Sequence, residues 1–269
     1  MTARLSLHQF RFDLRAFSRN RQSRFFTLVL PVLFLVIFAS LFHGGTVRVA
    51  GGPISTSVYY VPGIIALRII AAAFVNLVIS VTAQRETGAL KRRRTTPVPA
   101  AAIIAGRALT SVVVALGMTA LLLAIGWLFY GATVPVRTAP ALALTVVVGA
   151  LAFCCLGFAL ASVIRSQDSA QPITQAVMLP LYFISGVFIA ASTLPRWLVD
   201  VAGVFPVRHL AAALLTAYNP HTAGAGLAGT DLMVVALWGA SGLAIALWRF
   251  RWVPLSRLAS SETKERCHG

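Results

Sequence analysis

The sequence predicts an all-α integral membrane protein with six transmembrane helices. Of its 269 residues, 58% are hydrophobic and 11% are charged, whereas soluble domains have about 45–50% apolar and about 25% charged residues. Six apolar stretches are each long enough for a helix across the hydrocarbon core of a bilayer, which takes about 20 residues. Because every backbone polar group must be hydrogen-bonded internally in lipid, these stretches are expected to be helices.

The six spans lie in a transmembrane domain that covers residues 25–250. The first span carries no charged residue, and the second is interrupted only by Arg68. The predicted spans are Phe25 to Phe42, Val58 to Ala83, Ala108 to Ala132, Thr138 to Ile164, Ser169 to Leu194 and Leu232 to Trp248.

Residues 1–24 precede the first span and predict a cytoplasmic amphipathic helix that lies in the membrane interface. Apolar residues recur there at spacings of three and four, which suits one face of a helix. Arginines fall elsewhere on the helical wheel, where they can meet anionic headgroups. An ordinary basic flank is the alternative. The apolar positions are Leu7, Phe10, Leu14 and Phe17.

Residues 195–218 are apolar, but two prolines and several charged residues argue against a further span. We expect a pair of short helices on the outer side of the membrane, before the last span, either re-entrant or interfacial. The unfavourable residues are Pro195, Arg196, Asp200, Pro206, Arg208 and His209.

The net charge is +16, and its distribution favours membrane orientation over nucleic-acid binding. Most basic residues fall in the N-terminal segment, in the loop 84–99 and in the tail 251–269. A six-span chain places these three regions on one side of the membrane. Lysine and arginine accumulate in the short cytoplasmic loops of membrane proteins. Both termini are therefore predicted in the cytoplasm, in a multi-pass protein of the bacterial cytoplasmic membrane whose surroundings are membrane lipids.

The sequence contains no pattern of catalytic, metal-binding or cofactor-binding residues. The five histidines are scattered, without a metal-ligand spacing. A Walker A loop needs a lysine directly after a glycine, but Lys91 follows Leu90 and Lys264 follows Thr263. The carboxylates lie in loops, flanks or span ends, which disfavours ion-coupled transport. We expect a protein that is not an enzyme and that receives any energy from another polypeptide.

Three segments share a pattern with a known family. YYVPGIIALRIIAAAF opens the second span, QRETGALKRRRTTPVP forms the loop after it, and QAVMLPLYFISGVFIAASTLPRWL covers the fifth span and its continuation. Together they resemble the type-2 ABC exporter permease family, in particular its bacterial daunorubicin-resistance type. The matching positions are Tyr60, Pro62, Gly63, Glu86, Gly88, Leu90, Lys91, Arg92, Arg94, Thr96, Pro97, Pro99, Pro180, Ser185, Gly186, Val187, Phe188, Leu194, Pro195, Trp197 and Leu198.

The resemblance implies a permease subunit of an ATP-driven exporter. Such a subunit pairs with a second permease, identical or homologous, and with separately encoded ATP-binding cassette ATPase subunits. The loop 84–99 would contain a coupling helix that docks into a groove of the ATPase. The implied substrate is hydrophobic or amphipathic: a drug, an antibiotic or a lipid-like metabolite. The alternatives are a passive channel or secondary transporter, and a scaffold subunit that transports nothing.

Two sets of site residues follow from the resemblance. In the coupling set, Glu86 suits the start of a helix and Leu90 is the large apolar residue that could enter a groove. The coupling set is Glu86, Gly88, Leu90, Lys91, Arg92, Arg94, Pro97 and Asp168. The substrate-pathway set is Arg68, Pro180, Ser185, Gly186 and Phe188.

Two of these residues have a second interpretation. Arg68 falls close to the bilayer centre, where a charge is costly. It is either a cavity-lining cation that contacts an anionic substrate or headgroup, or an arginine bonded inside the bundle or at a dimer interface. Asp168 either contacts the ATPase or starts or caps the helix that follows it.

Overall fold

The computed structural model describes residues 29, 31–34, 36–37, 40, 44–49, 52–86, 100–131, 134–164, 166–188 and 193–249. The predicted N-terminal amphipathic helix, the tail 251–269 and most of the coupling loop lie outside the described residues. Within the predicted first span, residues 29, 31–34, 36–37 and 40 are helical.

A short antiparallel β-hairpin lies between the predicted first span and the helices that follow it, and the all-α prediction did not include it. Strands β1 (Thr46–Val49) and β2 (Gly52–Ser55) pair with Thr46 opposite Ser55 and Val49 opposite Gly52. The alternation of Val47 and Val49 with polar neighbours is the period-2 pattern of a half-buried strand. The hairpin leads directly into the first long helix.

Eight α-helices follow, together with one π-helical and one 3₁₀ segment, in the part of the chain that the structure describes. They are α1 (Thr56–Ile70), the π segment (Ala71–Val75), α2 (Asn76–Glu86), α3 (Ala100–Tyr130), the 3₁₀ turn (Val136–Thr138), α4 (Ala139–Val163), α5 (Gln167–Ile184), α6 (Arg196–Ala202), α7 (Pro206–Tyr218) and α8 (Gly229–Arg249).

Four helical stretches of the described chain are long and apolar enough to cross a membrane. They are Val58–Glu86, Ile104–Phe129, Val136–Val163 and Gly229–Arg249, and they confirm the second, third, fourth and last predicted spans as apolar helices. The pair α6 and α7, bent by 98°, would be a fifth if it crossed as one broken span.

The helix in the predicted fifth span is shorter than the sequence analysis predicted. Helix α5 ends at Ile184, not at Leu194, and the chain turns at Ser185 and Gly186. Gly186 has a φ of 84°, a left-handed conformation that commonly terminates helices and that favours glycine. The prediction followed the apolar run and did not weigh this glycine as a helix end.

Helix α4 is the centre of the bundle. It packs against α8, α3, α2 and α7, and its Phe153 and Phe158 are fully buried. Glycines allow the closest of these contacts: a Cβ placed on Gly239 of α8 would stand 2.7 Å from the Cα of Ala152. Helices meet this closely where small residues line both faces.

The two short helices predicted in 195–218 are present, and they differ in burial. Helix α7 packs against α1, α4 and α8, and its Leu210, Leu214 and Tyr218 have no exposed surface. Helix α6 lies outside, with 64% of Trp197 exposed. Helix α7 is therefore an internal element of the bundle, and its position decides what lines the site described next.

Candidate functional site

The start of α1 meets the turn after α5, although Tyr59 and Gly186 are 127 residues apart in the chain. The Tyr59 hydroxyl donates a hydrogen bond to the Gly186 carbonyl at 2.9 Å, and the Tyr60 hydroxyl donates one to the Phe188 carbonyl at 3.4 Å. The two tyrosine rings pack edge to face, with centroids 5.8 Å apart. We call this contact between residues 59–63 and residues 185–188 the junction.

Gly63 is required at the junction by close packing of backbone on backbone. A Cβ at this position would stand 2.8 Å from the carbonyl oxygen of Val187, a distance at which one backbone would have to move. Tyr60, Pro62 and Gly63 therefore pack on Ser185 to Phe188, so two motifs that were recognised separately in the sequence form one structural unit.

The junction and α7 line a cavity of about 80 Å³ that is open on one side. Its walls come from three elements: the start of α1, the turn after α5 and one side of α7. The lining residues are Tyr59, Pro62, Gly63, Ser185, Gly186, Arg208, Ala211, Ala212 and Leu215.

Of the predicted pathway residues, the structure brings only some to this cavity. Ser185 and Gly186 line it, whereas Phe188 does not; the ring centroid of Phe188 is 6.4 Å from that of Tyr182. Pro180 is exposed on α5. Arg68 is 9% exposed and does not line the cavity. Its guanidinium interacts electrostatically with Tyr182.

Two cavity residues were missed by the sequence analysis. Tyr59 is adjacent to the recognised Tyr60, but the pattern alone did not distinguish their roles. Arg208 was noted only as a charge that disfavours a membrane span. The sequence did contain a signal for it, because Arg208 is a cation in the largely apolar segment PVRHLAAALLTAY. Charged residues in membrane segments face the bundle interior or a cavity.

A second cluster lies at the opposite ends of the same helices, where α2 meets the loop between α4 and α5. The buried Arg85 guanidinium donates hydrogen bonds to the carbonyls of Ala161, at 3.1 Å, and of Ile164. The Glu86 carboxylate accepts one from the backbone N–H of Gln167 at 2.7 Å. We call these contacts the clamp.

In the clamp, each charged side chain contacts a helix end of opposite partial charge. Helix C-termini present unpaired carbonyls and a partial negative charge, and N-termini present unpaired N–H groups and a partial positive charge. Arg85 serves the carbonyl end of α4, and Glu86 serves the N–H end of α5. The end of α2 is thereby joined to both helices that flank the loop.

The structure corrects one interpretation of Asp168 and leaves its predicted contact with the ATPase a proposal. The N-cap of α5 is Ser166, whose hydroxyl accepts a hydrogen bond from the N–H of Ser169 at 3.3 Å. Asp168 lies exposed in the first turn, where its charge suits the helix dipole. Glu86 and Asp168 thus both lie at the start of α5, Glu86 through its contact with Gln167, whereas Gly88, Leu90, Lys91, Arg92, Arg94 and Pro97 lie outside the described residues.

Helix α8 fixes the bend between α6 and α7. His209 is 2.6 Å from Asp231 through Nδ1 and 2.8 Å from the Gly203 carbonyl through Nε2. The His209 ring thus bridges α8 and the carbonyl end of α6. The Trp238 indole N–H donates to the Val204 carbonyl at 3.0 Å. These contacts hold α7, and Arg208 with it, in a set position.

Comparison with known proteins gives one family and two relatives. A family model described as ABC-2 type transporter matches residues 9–218, a range that includes the junction, the clamp and the α6–α7 pair. Two curated relatives, each a probable multidrug ABC transporter permease from a strain of Escherichia coli, are 27% identical to the chain over 155 residues. The aligned stretch covers 56% of this chain and 41% of each relative's length.

Proposed function

The chain belongs to the ABC-2 type transporter family, and on that basis we propose that it is the permease subunit of an ATP-driven exporter. Its partners would be an ATP-binding cassette ATPase subunit and a second permease, identical or homologous. It would lie in the bacterial cytoplasmic membrane with both termini in the cytoplasm and with residues 195–218 as an outer re-entrant segment. The substrate would be a hydrophobic or amphipathic molecule, in keeping with the multidrug description of the relatives.

The observation that carries the proposal is that the same two helical segments touch each other at both ends. Thr56 to Glu86 and α5 meet at the clamp through Glu86 and Gln167. They meet again at the junction through Tyr59 and Gly186. At 1.5 Å per residue, α5 separates the two contacts by roughly 27 Å. A displacement at the clamp would therefore reach the junction through α5 and through the segment Thr56 to Glu86, which the π segment Ala71–Val75 interrupts.

This arrangement supports a mechanism in which the ATPase acts from the cytoplasm. The proposed coupling residues Glu86 to Pro97 begin at the clamp, so force applied to that loop acts on α2 and α5 together. ATP binding would bring the ATPase subunits together, move the loops of both permeases and open the pathway outward. The chain's own part is mechanical: it positions the pathway and converts motion of the loop into motion at the junction.

Arg68 belongs to the proposal as a candidate pathway residue. It is buried in α1, between the clamp and the junction, and a charge at that depth needs partners inside the protein. A contact with an anionic substrate remains proposed for it, alongside a structural role beside Tyr182.

The test first asks whether a neighbouring gene encodes an ATP-binding cassette ATPase. That ATPase is then co-purified with the tagged permease, and ATP-dependent efflux from proteoliposomes is measured. We expect Leu90→Ala and Glu86→Lys to lower complex recovery and efflux by about tenfold, the scale of about 1.4 kcal/mol. Asp200→Asn, an exposed acid on α6, is the matched control and should retain both.

Each other outcome counts against the proposal. Efflux that persists without the ATPase would favour the passive channel or secondary transporter. A stable complex without efflux of any amphipathic compound would favour the scaffold. Full recovery and efflux with both variants would overturn the coupling assignment of Glu86 and Leu90.

A further inference from the structure

Two polar groups in the cavity at the junction have no partner among the described residues. They are the Ser185 hydroxyl and the Nη1 nitrogen of Arg208. Ser185 is 4% exposed, and both residues line the same cavity. Buried polar groups in folded proteins are nearly always hydrogen-bonded, and these two belong to residues that line one cavity, so a polar occupant there would supply the missing partners.

The electrostatics of the cavity favour an anion. The structure shows no ion pair for Arg208 within the described ranges. The Asp231 carboxylate of α8 lies 2.6 Å from Nδ1 of His209. Arg208 also lies in the first turn of α7, where the positive end of the helix dipole adds to its field. A guanidinium forms its strongest hydrogen bonds with carboxylate or phosphate oxygens.

The size of the cavity restricts the occupant. Its volume of about 80 Å³ holds only a few water-sized groups, whereas pockets for drug-sized ligands are about 300–1,000 Å³. Ala211, Ala212 and Leu215 lie on the same face of α7 as Arg208 and make the rest of that wall apolar. A charged headgroup fits, and the rest of the molecule must lie outside.

We propose that this cavity binds the anionic headgroup, a carboxylate or phosphate, of a single-chain amphiphile, with Arg208 and Ser185 as its hydrogen-bond donors. The inference rests on the proposed export function for its substrate class, and it assigns the recognition of charge to α7. The alkyl chain would leave the cavity past the apolar side of α7 toward lipid.

The test measures binding to the full chain in neutral maltoside micelles, without an ATPase. The probes are decyl phosphate, decyl carboxylate, decyltrimethylammonium and inorganic phosphate, each below its micellar concentration, and the readout is the rise of Tm with ligand. We expect the two anionic amphiphiles to raise Tm, and the cationic amphiphile and inorganic phosphate to leave it unchanged.

The variants assign the effect to the cavity. Arg208→Gln should weaken binding of decyl phosphate by about tenfold or more, as expected for loss of a charge-assisted bond. Ser185→Ala should weaken it by a few fold. Arg196→Gln, which removes an exposed arginine of α6, is the control and should bind as the unaltered protein does. If Arg208→Gln does not fold, Arg208→Lys should keep the preference for anions with reduced affinity.

Three results would overturn the inference. Equal shifts with the cationic and anionic amphiphiles would remove the charge selectivity. A shift with inorganic phosphate as large as with decyl phosphate would make this a site for a free anion. Unchanged binding in Arg208→Gln, or in Arg208→Lys and Ser185→Ala together, would place the ligand elsewhere. This binding assay contains no ATPase. If the permease failed to form a complex with the ATPase in the co-purification test, that result would count against the proposed function and not against this site.

Discussion

Arg85 and Glu86 are sequence neighbours that serve two different helices. Arg85 is 3% exposed and donates to the last carbonyls of α4, whereas Glu86 is exposed and accepts from the first N–H of α5. The sequence analysis assigned Glu86 to a partner protein and counted Arg85 only as a basic loop residue. The structure gives both residues a contact within the chain, so the start of the loop 84–99 is attached to α4 and α5.

Replacing Arg85 by methionine should destabilise the protein by about 2–4 kcal/mol, since it leaves buried carbonyls of Ala161 and Ile164 without their charged donor. The measurement is SDS titration of the protein in mixed micelles, followed by circular dichroism. Arg196→Met, at an exposed arginine, is the control and should change stability by less than about 0.5 kcal/mol. Equal stabilities of the two variants would show that the clamp contributes nothing.

At the scale of elements, the longest described apolar stretch is not a uniform helix. The π segment Ala71–Val75 separates α1 from α2, and α4 passes close to it. A Cβ on Gly157 would lie 3.3 Å from the carbonyl oxygens of Ala73 and Phe74. π-Helical turns inside α-helices are rare and are often found at functional sites. This one lies between the clamp and the junction, in the segment proposed to transmit motion.

The contact between α4 and α8 gives a prediction at this scale. Gly239→Ala should lower stability by about 1–3 kcal/mol, because the new methyl would meet the Ala152 backbone and force the helices apart. Gly117→Ala is the matched control, since nothing lies within 4 Å of its Cβ position. It should be neutral or gain up to about 1 kcal/mol from helix propensity. The same SDS titration decides, and equal effects of the two changes would contradict close packing as the cause.

At the scale of the whole molecule, the proposed orientation in the membrane decides on which side of it the clamp and the junction lie. Clamp and junction occupy opposite ends of the bundle, so basic termini in the cytoplasm put the clamp on the ATPase side and the anion cavity on the outer side. The 98° bend between α6 and α7 then brings α7 into the bundle from outside. Function and topology are therefore tested together.

Orientation can be measured with single cysteines in a chain whose three native cysteines are replaced by serine. Asp200 and Asp168 are both exposed, so a cysteine at either position is open to reagent. A membrane-impermeant maleimide added to intact spheroplasts should label Asp200→Cys and should label Asp168→Cys only after permeabilisation. The reverse pattern would invert the topology, and with it the assignment of the coupling loop.

The sequence by itself determined the membrane class, the family and most of the apolar helices. Hydrophobic composition and span length are local properties, and so is the bend signalled by Pro195 and Pro206. The motifs at Tyr60 and Ser185 were also readable. Their contact was not, because nothing local to either segment shows that Tyr59 and Tyr60 bond to carbonyls more than 120 residues away.

Tertiary structure decided the rest, for one physical reason: the demand of a buried polar group for a partner is met through space. The pairing of Arg85 with α4, the attachment of Glu86 to α5 and the position of Arg208 in a cavity all depend on which helix ends are brought together. Packing likewise ended α5 at Ile184, where Gly186 turns the chain to meet Gly63. The sequence specified which charges a membrane would tolerate with difficulty, and the fold specified what each of them contacts.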